Sequence, residues 1–233
     1  MDSPRHPLLH WLRIVIVIGM FTLGAYLYPS LPDRVPTHWN FAGVADGFSS
    51  RPFGAFLLPC IGLLILILFP VLQKLDPKAE NYTSFQGTWE ILQLSIIAFM
   101  AYVYVIQLIA TFDPSQSAMV GRYIVFGVGA LFVLLGNFMG KIRQNFFIGL
   151  RTPWTLSDPE VWAKSQRFAG WTFVLGGLAI IVEAFFWRAV PVVFLVIVAG
   201  IVIASVGYSY VLFASAKKAS PKEPVGNDGR RLP

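Results

Sequence analysis

The run LLILILF (residues 63–69) decides the fold class. It lies inside a longer stretch, Phe53–Leu72, that is apolar and carries no charged residue. A helix that crosses a bilayer needs about 20 such residues. An outer-membrane barrel strand would instead alternate apolar and polar residues over about ten positions, and this run does not alternate. Because a backbone in hydrocarbon must satisfy its own hydrogen bonds, the stretch is predicted to be a transmembrane helix.

Five more stretches have the same character, and the composition of the whole chain agrees with them. Only 13% of the 233 residues are charged, against about 25% in soluble domains, and the mean hydropathy is +0.65. We therefore predict an all-α integral membrane protein, a bundle of six transmembrane helices. The other five predicted spans are Leu9–Tyr28, Ile91–Thr111, Tyr123–Gly140, Phe168–Trp187 and Val190–Phe213.

The distribution of basic residues predicts the orientation. Four of the 18 Lys and Arg residues fall on one side of the predicted bundle, and all the others fall on the side of both termini. Since Lys and Arg accumulate in cytoplasmic loops, both termini are predicted to be cytoplasmic. The basic pI then reflects this rule and attraction to lipids, with no direct nucleic-acid partner. The four residues on the outer side are Arg34, Arg51, Arg122 and Arg188.

The chain is predicted to divide into three parts. Residues 1–73 form an N-terminal two-helix unit, and residues 74–213 form a four-helix unit with a cytoplasmic loop at 136–167. Residues 214–233 are polar, basic and rich in Pro, Gly and Ser, which is typical of a disordered tail.

The first external loop, VPTHWNFAGVADGFSSRPFG (residues 35–54), is too patterned for a slack linker. Its glycines and turn residues favour an ordered segment whose aromatic side chains dip into the interface. Asn is a poor zinc ligand, and one His with one Asp does not fill a tetrahedral site, so no metal or other cofactor is expected. The functional alternative is an ordered external lid that contacts a peptide or lipid, through His38, Trp39, Asn40 and Asp46.

The second patterned segment is GNFMGKIRQNFFIGLRTPWTLSDPEVWAKSQRFAG (residues 136–170). Ser157 and Glu160 have the spacing of a capping box, which predicts a helix beginning near Asp158 and running into the fifth span. Gly149 suits a tight turn. Trp162 and Trp171 are predicted to mark the inner membrane interface.

The same loop has two possible roles. One is a structured connector whose basic residues contact lipid phosphates, and the other is a docking surface for a cytoplasmic partner. No nucleophile and base occur together here, so we expect no catalytic residues and no enzymatic activity. The residues concerned are Asn137, Lys141, Asn145, Arg151, Thr152, Trp154 and Trp162.

Three polar residues within the predicted spans are candidates for a specific role. Glu183 is the one carboxylate there, which makes it a functional candidate by default. Its position near the outer end of the fifth helix favours a structural tie to Arg188, Arg51 or His38. Gln93 and Gln107 are predicted to form interhelical hydrogen bonds.

Taken together, the two patterned segments resemble the SdpI family of bacterial immunity proteins. The inner motif comprises Gly136-Asn137, Lys141, Asn145, Gly149, Arg151-Thr152-Pro153-Trp154-Thr155-Leu156, Trp162 and Arg167. The outer motif, which resembles a small membrane domain of unknown function that often precedes it, comprises Pro36-Thr37-His38-Trp39-Asn40, Gly43 and Asp46-Gly47.

This resemblance implies a multi-pass protein of the bacterial inner membrane that protects the cell from a secreted, membrane-active peptide toxin. It also implies signalling, in which a small cytoplasmic repressor is held at the membrane when toxin is present. The expected partners are membrane lipids, the toxin and that repressor. Two alternatives stay open on the residues alone: a small transporter of a peptide or lipid-like substrate, and a membrane-embedded hydrolase.

Overall fold

The structure is a computed structural model that describes residues 6–40, 44–187 and 190–219. Every helix in it except the short α5 is long and apolar enough to cross a membrane, which gives six candidate spans among the described residues. In chain order the elements are α1 (Pro7–Leu27), β1 (Arg34–Trp39), β2 (Ala45–Ser50), α2 (Arg51–Leu75), α3 (Gln86–Phe112), α4 (Ser117–Met139), α5 (Pro153–Ser157), α6 (Pro159–Phe186) and α7 (Val190–Ala219).

The six predicted spans are confirmed as helices, with longer ends than the hydropathy indicated. The last helix runs to Ala219, so the predicted disordered tail is wrong for residues 214–219, and residues 220–233 lie outside the described part. The all-α membrane class is confirmed, and the described residues depart from helix and loop in one connector. The first connector contains a two-stranded antiparallel hairpin, formed by β1 and β2. The residues of this connector are not helical, so their backbone N–H and C=O groups pair between the two strands.

The up-and-down order of the helices gives the bundle two ends. The hairpin lies at one end, which we call the hairpin end. The connector between α2 and α3 (residues 76–85) and the connector between α4 and α6 (residues 140–158) lie together at the other, which we call the connector end.

Two prolines inside α2 determine how α2 packs against α3. Pro59 and Pro70 have no N–H, so each leaves the carbonyl four residues earlier without its helical donor. The Tyr104 hydroxyl donates to the Ala55 carbonyl at 2.8 Å. The Gln93 amide donates to the Leu66 carbonyl at 3.1 Å. Side chains of α3 therefore satisfy both carbonyls where no water is available.

The predicted interhelical bonds of the two glutamines are thus confirmed. Gln93 also donates to the Ile65 carbonyl at 3.0 Å, and Gln107 donates to the Gly54 carbonyl at 3.1 Å. Helix α1 packs closely against this contact between α2 and α3. An added Cβ at Gly24 would lie only 2.7 Å from the Tyr104 hydroxyl. This contact ties the first three helices together.

The closest helix pair in the second half is α4 with α6, and it depends on four glycines. A Cβ at Gly136 would lie 2.6 Å from the Gly170 carbonyl oxygen, and a Cβ at Gly177 would lie 2.6 Å from the Gly129 carbonyl oxygen. Both helices carry a glycine at a seven-residue spacing, so the two backbones touch at two levels. Small residues are what permit such an approach in membranes.

We expect Gly136→Ala and Gly170→Ala each to destabilise the bundle by about 1–3 kcal/mol, because the new methyl group must push the two backbones apart. Thermal melting in detergent micelles measures the effect. The matched control is Gly200→Ala on α7, where an added Cβ meets nothing within 4 Å. That variant should be neutral or more stable, since Ala favours helix over Gly. Equal melting temperatures for all three variants would contradict the packing described.

Candidate functional site

The hairpin places two of the predicted site residues side by side. The strands pair from Arg34 with Ser50 to Trp39 with Ala45, and the register is irregular on both sides of His38. Irregularities of this kind re-aim side chains. Here His38 Nδ1 lies 2.5 Å from Asp46 Oδ1, and both side chains are exposed to solvent. The hairpin thus presents a hydrogen-bonded imidazole and carboxylate on its open face.

The other two predicted residues of this loop face the protein. Trp39 packs against Ile106 and Val120, on α3 and α4. Asn40 closes the hairpin, since its backbone N–H donates to the Val44 carbonyl and its side chain accepts from the Val44 N–H. Trp39 is therefore partly buried against the bundle, and its place in the lipid interface stays a prediction.

The hairpin is docked on the bundle. The Val35 side chain is fully buried and fills the space that a Cβ at Gly54 would occupy. The Asp33 carboxylate accepts from the Arg51 guanidinium at 2.6 Å, which joins the approach to β1 to the start of α2. All four predicted loop residues belong to one docked unit, and only His38 and Asp46 are open to a ligand.

At the connector end, the buried carboxylate of Asp76 joins the two connectors. It accepts from the Tyr82 hydroxyl at 2.8 Å and from the Phe146 N–H at 2.9 Å. Burial, and then this hydrogen bond, raise the pKa of the Tyr82 hydroxyl. The hydroxyl therefore stays protonated and keeps donating across the physiological pH range.

Gln144 makes a second link between the connectors. Its amide donates to the carbonyls of Thr155 and Leu156, at 2.9 and 2.8 Å. Its side-chain oxygen accepts from the Lys78 ammonium, and its backbone carbonyl accepts from the Asn81 amide. Asp76, Lys78 and Gln144 were not identified from the sequence as part of this site.

Asn145 and Gly149 shape the turn itself. The Asn145 side chain accepts from the backbone N–H groups of Phe147 and Ile148, so it satisfies backbone groups after α4. Gly149 has a positive φ of 97°, which an L side chain rarely adopts. The Gln166 side chain lies where a Cβ would be and bonds both backbone groups of Leu150.

The helix starts in this loop differ from the predicted capping box. The box is formed by Thr152 and Thr155 at the start of α5. Asp158 caps α6, with its carboxylate accepting from the N–H groups of Glu160 and Val161. Ser157 belongs to α5 and donates to the Trp154 carbonyl. The predicted start of the helix near 158 is correct, but its cap is the carboxylate at that position.

The tryptophans divide between core and surface. Trp162 is only 2% exposed, and its indole donates to the Ile142 carbonyl at 2.8 Å, so its predicted interface position is wrong. Trp154 is partly buried and donates to the Ser209 hydroxyl at 2.7 Å, which holds α5 against α7. Trp171 is 68% exposed, as an interfacial residue would be.

Three predicted contact residues of the loop are exposed. Asn137 lies near the end of α4. The Lys141 ammonium lies 4.8 Å from the centre of the Phe138 ring. The Arg151 guanidinium donates to the Phe146 carbonyl. The structure therefore separates residues that build the loop, such as Asn145 and Thr152, from residues that could meet a partner.

A buried charge pair between α1 and α3 escaped the sequence analysis. Arg13 and Glu90 are 5% and 3% exposed, with a guanidinium nitrogen 3.9 Å from a carboxylate oxygen. The guanidinium also donates to the side-chain oxygen of Gln93. It thereby orients the residue whose amide donates to the free carbonyls of α2. Glu183 is therefore not the only carboxylate within a span, because α3 begins at Gln86 and includes Glu90.

The sequence did contain a signal for this pair. Arg13 lies six residues inside α1, where an unpaired cation would be costly, so a buried acidic partner was required. The predicted contact of Glu183 with Arg188, Arg51 or His38 is not confirmed. Two of its proposed partners are engaged elsewhere, Arg51 with Asp33 and His38 with Asp46, and Arg188 lies outside the described residues.

Six apolar helices, a docked polar hairpin at one end and interlocked connectors at the other define a multi-pass membrane protein. Residues 141–211 match the SdpI/YfhL protein family, and residues 15–63 match a domain of unknown function, DUF1648. The chain is also similar to the immunity protein SdpI of Bacillus subtilis (strain 168), with 31% identity over 176 residues, which cover 75% of this chain and 81% of that protein. The chain belongs to the SdpI family. No solved structure matches it significantly.

The buried charge pair can be tested with a single variant and a double variant that should restore stability. We expect Arg13→Leu to lower stability by about 3–5 kcal/mol, because it leaves the Glu90 carboxylate buried without its cation. The double variant Arg13→Leu/Glu90→Leu should recover most of this loss, since apolar residues often replace a buried pair without cost. The melting temperatures of the wild-type protein, the single variant and the double variant in detergent measure these changes in stability. A double variant as unstable as the single one would show that the two residues act separately.

Proposed function

We propose that this protein gives its cell resistance to a secreted, membrane-active peptide toxin, and that it signals toxin binding by holding a cytoplasmic repressor at the membrane. The observation that carries the proposal is the similarity to the immunity protein SdpI over three quarters of the chain. Binding and sequestration without catalysis would account for both activities.

The outer partner in this proposal is the toxin, and its contact is the open face of the hairpin. His38 and Asp46 offer a donor and acceptor pair in water, while Trp39 and Asn40 hold the hairpin in place. A hairpin docked on α2, α3 and α4 suits this role, because a ligand that shifts it also shifts the helix ends beneath it. The inner contact for a repressor would use the exposed Lys141 and Arg151.

The orientation in the membrane is part of the proposal and has its own test. In a Cys60→Ala background, which removes the native thiol, we introduce Ser50→Cys at the hairpin end and Glu80→Cys at the connector end. Both positions are exposed. An impermeant maleimide should label the first in intact cells and the second only after permeabilisation. The reverse pattern would contradict cytoplasmic termini.

Toxin survival tests the immunity role. A toxin-sensitive bacterium that expresses the protein should tolerate more toxin than one that does not. We expect His38→Ala and Asp46→Asn each to lower the inhibitory toxin concentration by about tenfold, the effect of losing a hydrogen bond to a charged group. The control is Asp113→Asn, an exposed carboxylate at the same end of the bundle but in another connector.

Four outcomes would contradict parts of this proposal. Unchanged protection by both hairpin variants at equal expression would remove the hairpin as the toxin contact. Proton-coupled flux of a peptide in liposomes would favour transport, and turnover of a lipid or peptide would favour an enzyme. An Arg151→Ala variant that protects normally and still retains the repressor at the membrane would remove that residue from the inner contact.

A further inference from the structure

The connector end contains a cavity that none of the roles above uses. It has a volume of about 470 Å³ and opens between the α2–α3 connector, the residues that follow α4, and the first turns of α6. We call it the connector cavity. The residues that matter for its chemistry are Lys78, Glu80, Asn81, Arg143, Pro159 and Ala163.

The position of the cavity along the bundle corresponds to lipid headgroups. Helix α2 has 25 residues and α3 has 27, which at 1.5 Å per residue exceed the roughly 30 Å of hydrocarbon. Their ends therefore reach into the headgroup layer. The cavity lining comes from residues just beyond the ends of α2 and α4 and from the first turns of α6, so it lies at this level whichever way the protein is oriented.

The charges that line the cavity are mainly positive and poorly compensated. The Lys78 ammonium donates to Gln144, a neutral acceptor that leaves its charge in place. The Arg143 side chain is exposed and has no hydrogen bond or ion pair with any described residue. Glu80 is the one carboxylate of the lining, and Asp76 nearby is occupied by Tyr82 and by the N–H groups of Lys78 and Phe146.

We propose that the connector cavity binds the phosphate group of a membrane phospholipid. Arg143 and Lys78 hold the phosphate oxygens, with the guanidinium supplying the paired donors that suit a phosphate. The apolar floor that Pro159 and Ala163 expose meets the glycerol and the first methylenes of the chains. This mixture of cations and apolar surface at the headgroup level fits a lipid better than a soluble phosphate, which has nothing to place on that floor.

A bound lipid would also join the two connectors. Lys78 belongs to one of them and Arg143 to the other, and the direct bonds between them already run through Gln144 and Asp76. A phosphate between the two cations adds a link that depends on the membrane. The inference stands independently of the toxin and of the repressor.

Native mass spectrometry of the full-length protein in detergent tests the site with phosphatidylglycerol as the probe. The wild-type protein should retain one phosphatidylglycerol molecule more tightly than diacylglycerol, which lacks the phosphate. Arg143→Gln and Lys78→Gln should each weaken this binding about tenfold, as expected for one charge-assisted hydrogen bond. The matched control is Lys141→Gln, which removes a cation that contacts Phe138 and does not line the cavity. Unchanged elution on size exclusion and unchanged melting show that the variants are folded.

Four results would overturn the proposal. The first is equal retention of diacylglycerol and phosphatidylglycerol. The second is a loss in Lys141→Gln as large as in Arg143→Gln, which would show only general attraction to anionic lipid. The third is inorganic phosphate that binds as tightly as the lipid, which would make a soluble anion the ligand. The fourth is an Arg143→Gln variant that keeps its lipid but no longer retains a protein partner, which would assign the cavity to that partner.

Discussion

The first half of this protein depends on one constraint, the need to satisfy carbonyls that proline leaves without donors in a medium without water. Pro59 and Pro70 free the carbonyls of Ala55 and Leu66, and α3 supplies Tyr104 and Gln93 to them. Hydrocarbon offers no alternative partner, so these two bonds fix the register of α2 against α3. The Arg13 guanidinium then bonds Gln93, and α1 joins the same arrangement.

In the second half, the central contact between α4 and α6 depends on shape and not on polar bonds. The glycines of α4 and α6 bring two backbones into direct contact, and helix packing without a hydrophobic driving force depends on such close approach. Helix α7 is joined to α6 by a hydrogen bond between the hydroxyl groups of Thr172 and Ser205, at 2.9 Å. The two halves therefore use different means of association, and α3 and α4 are the helices that bring them together.

Polar residues concentrate at the two ends of the bundle, and the ends have different characters. The hairpin end offers an exposed imidazole–carboxylate pair on a docked hairpin. The connector end is a dense network in which Asp76 and Gln144 bond backbone groups of both connectors. Buried polar groups without partners in such a network would cost stability. Many of the motif residues of that loop therefore take part in the network and do not face a partner.

The sequence by itself determined the number of spans, their approximate limits and the family, because length and hydropathy of a span are local properties set by bilayer thickness. It also identified Gly149 and the two glutamines, whose roles follow from their own chemistry. Only the tertiary structure decided the Arg13–Glu90 pair, the burial of Trp162, the pairing of four glycines and the role of Asp76. Each of these is a contact between residues far apart in the chain, and its partner is selected by packing geometry that no local pattern encodes.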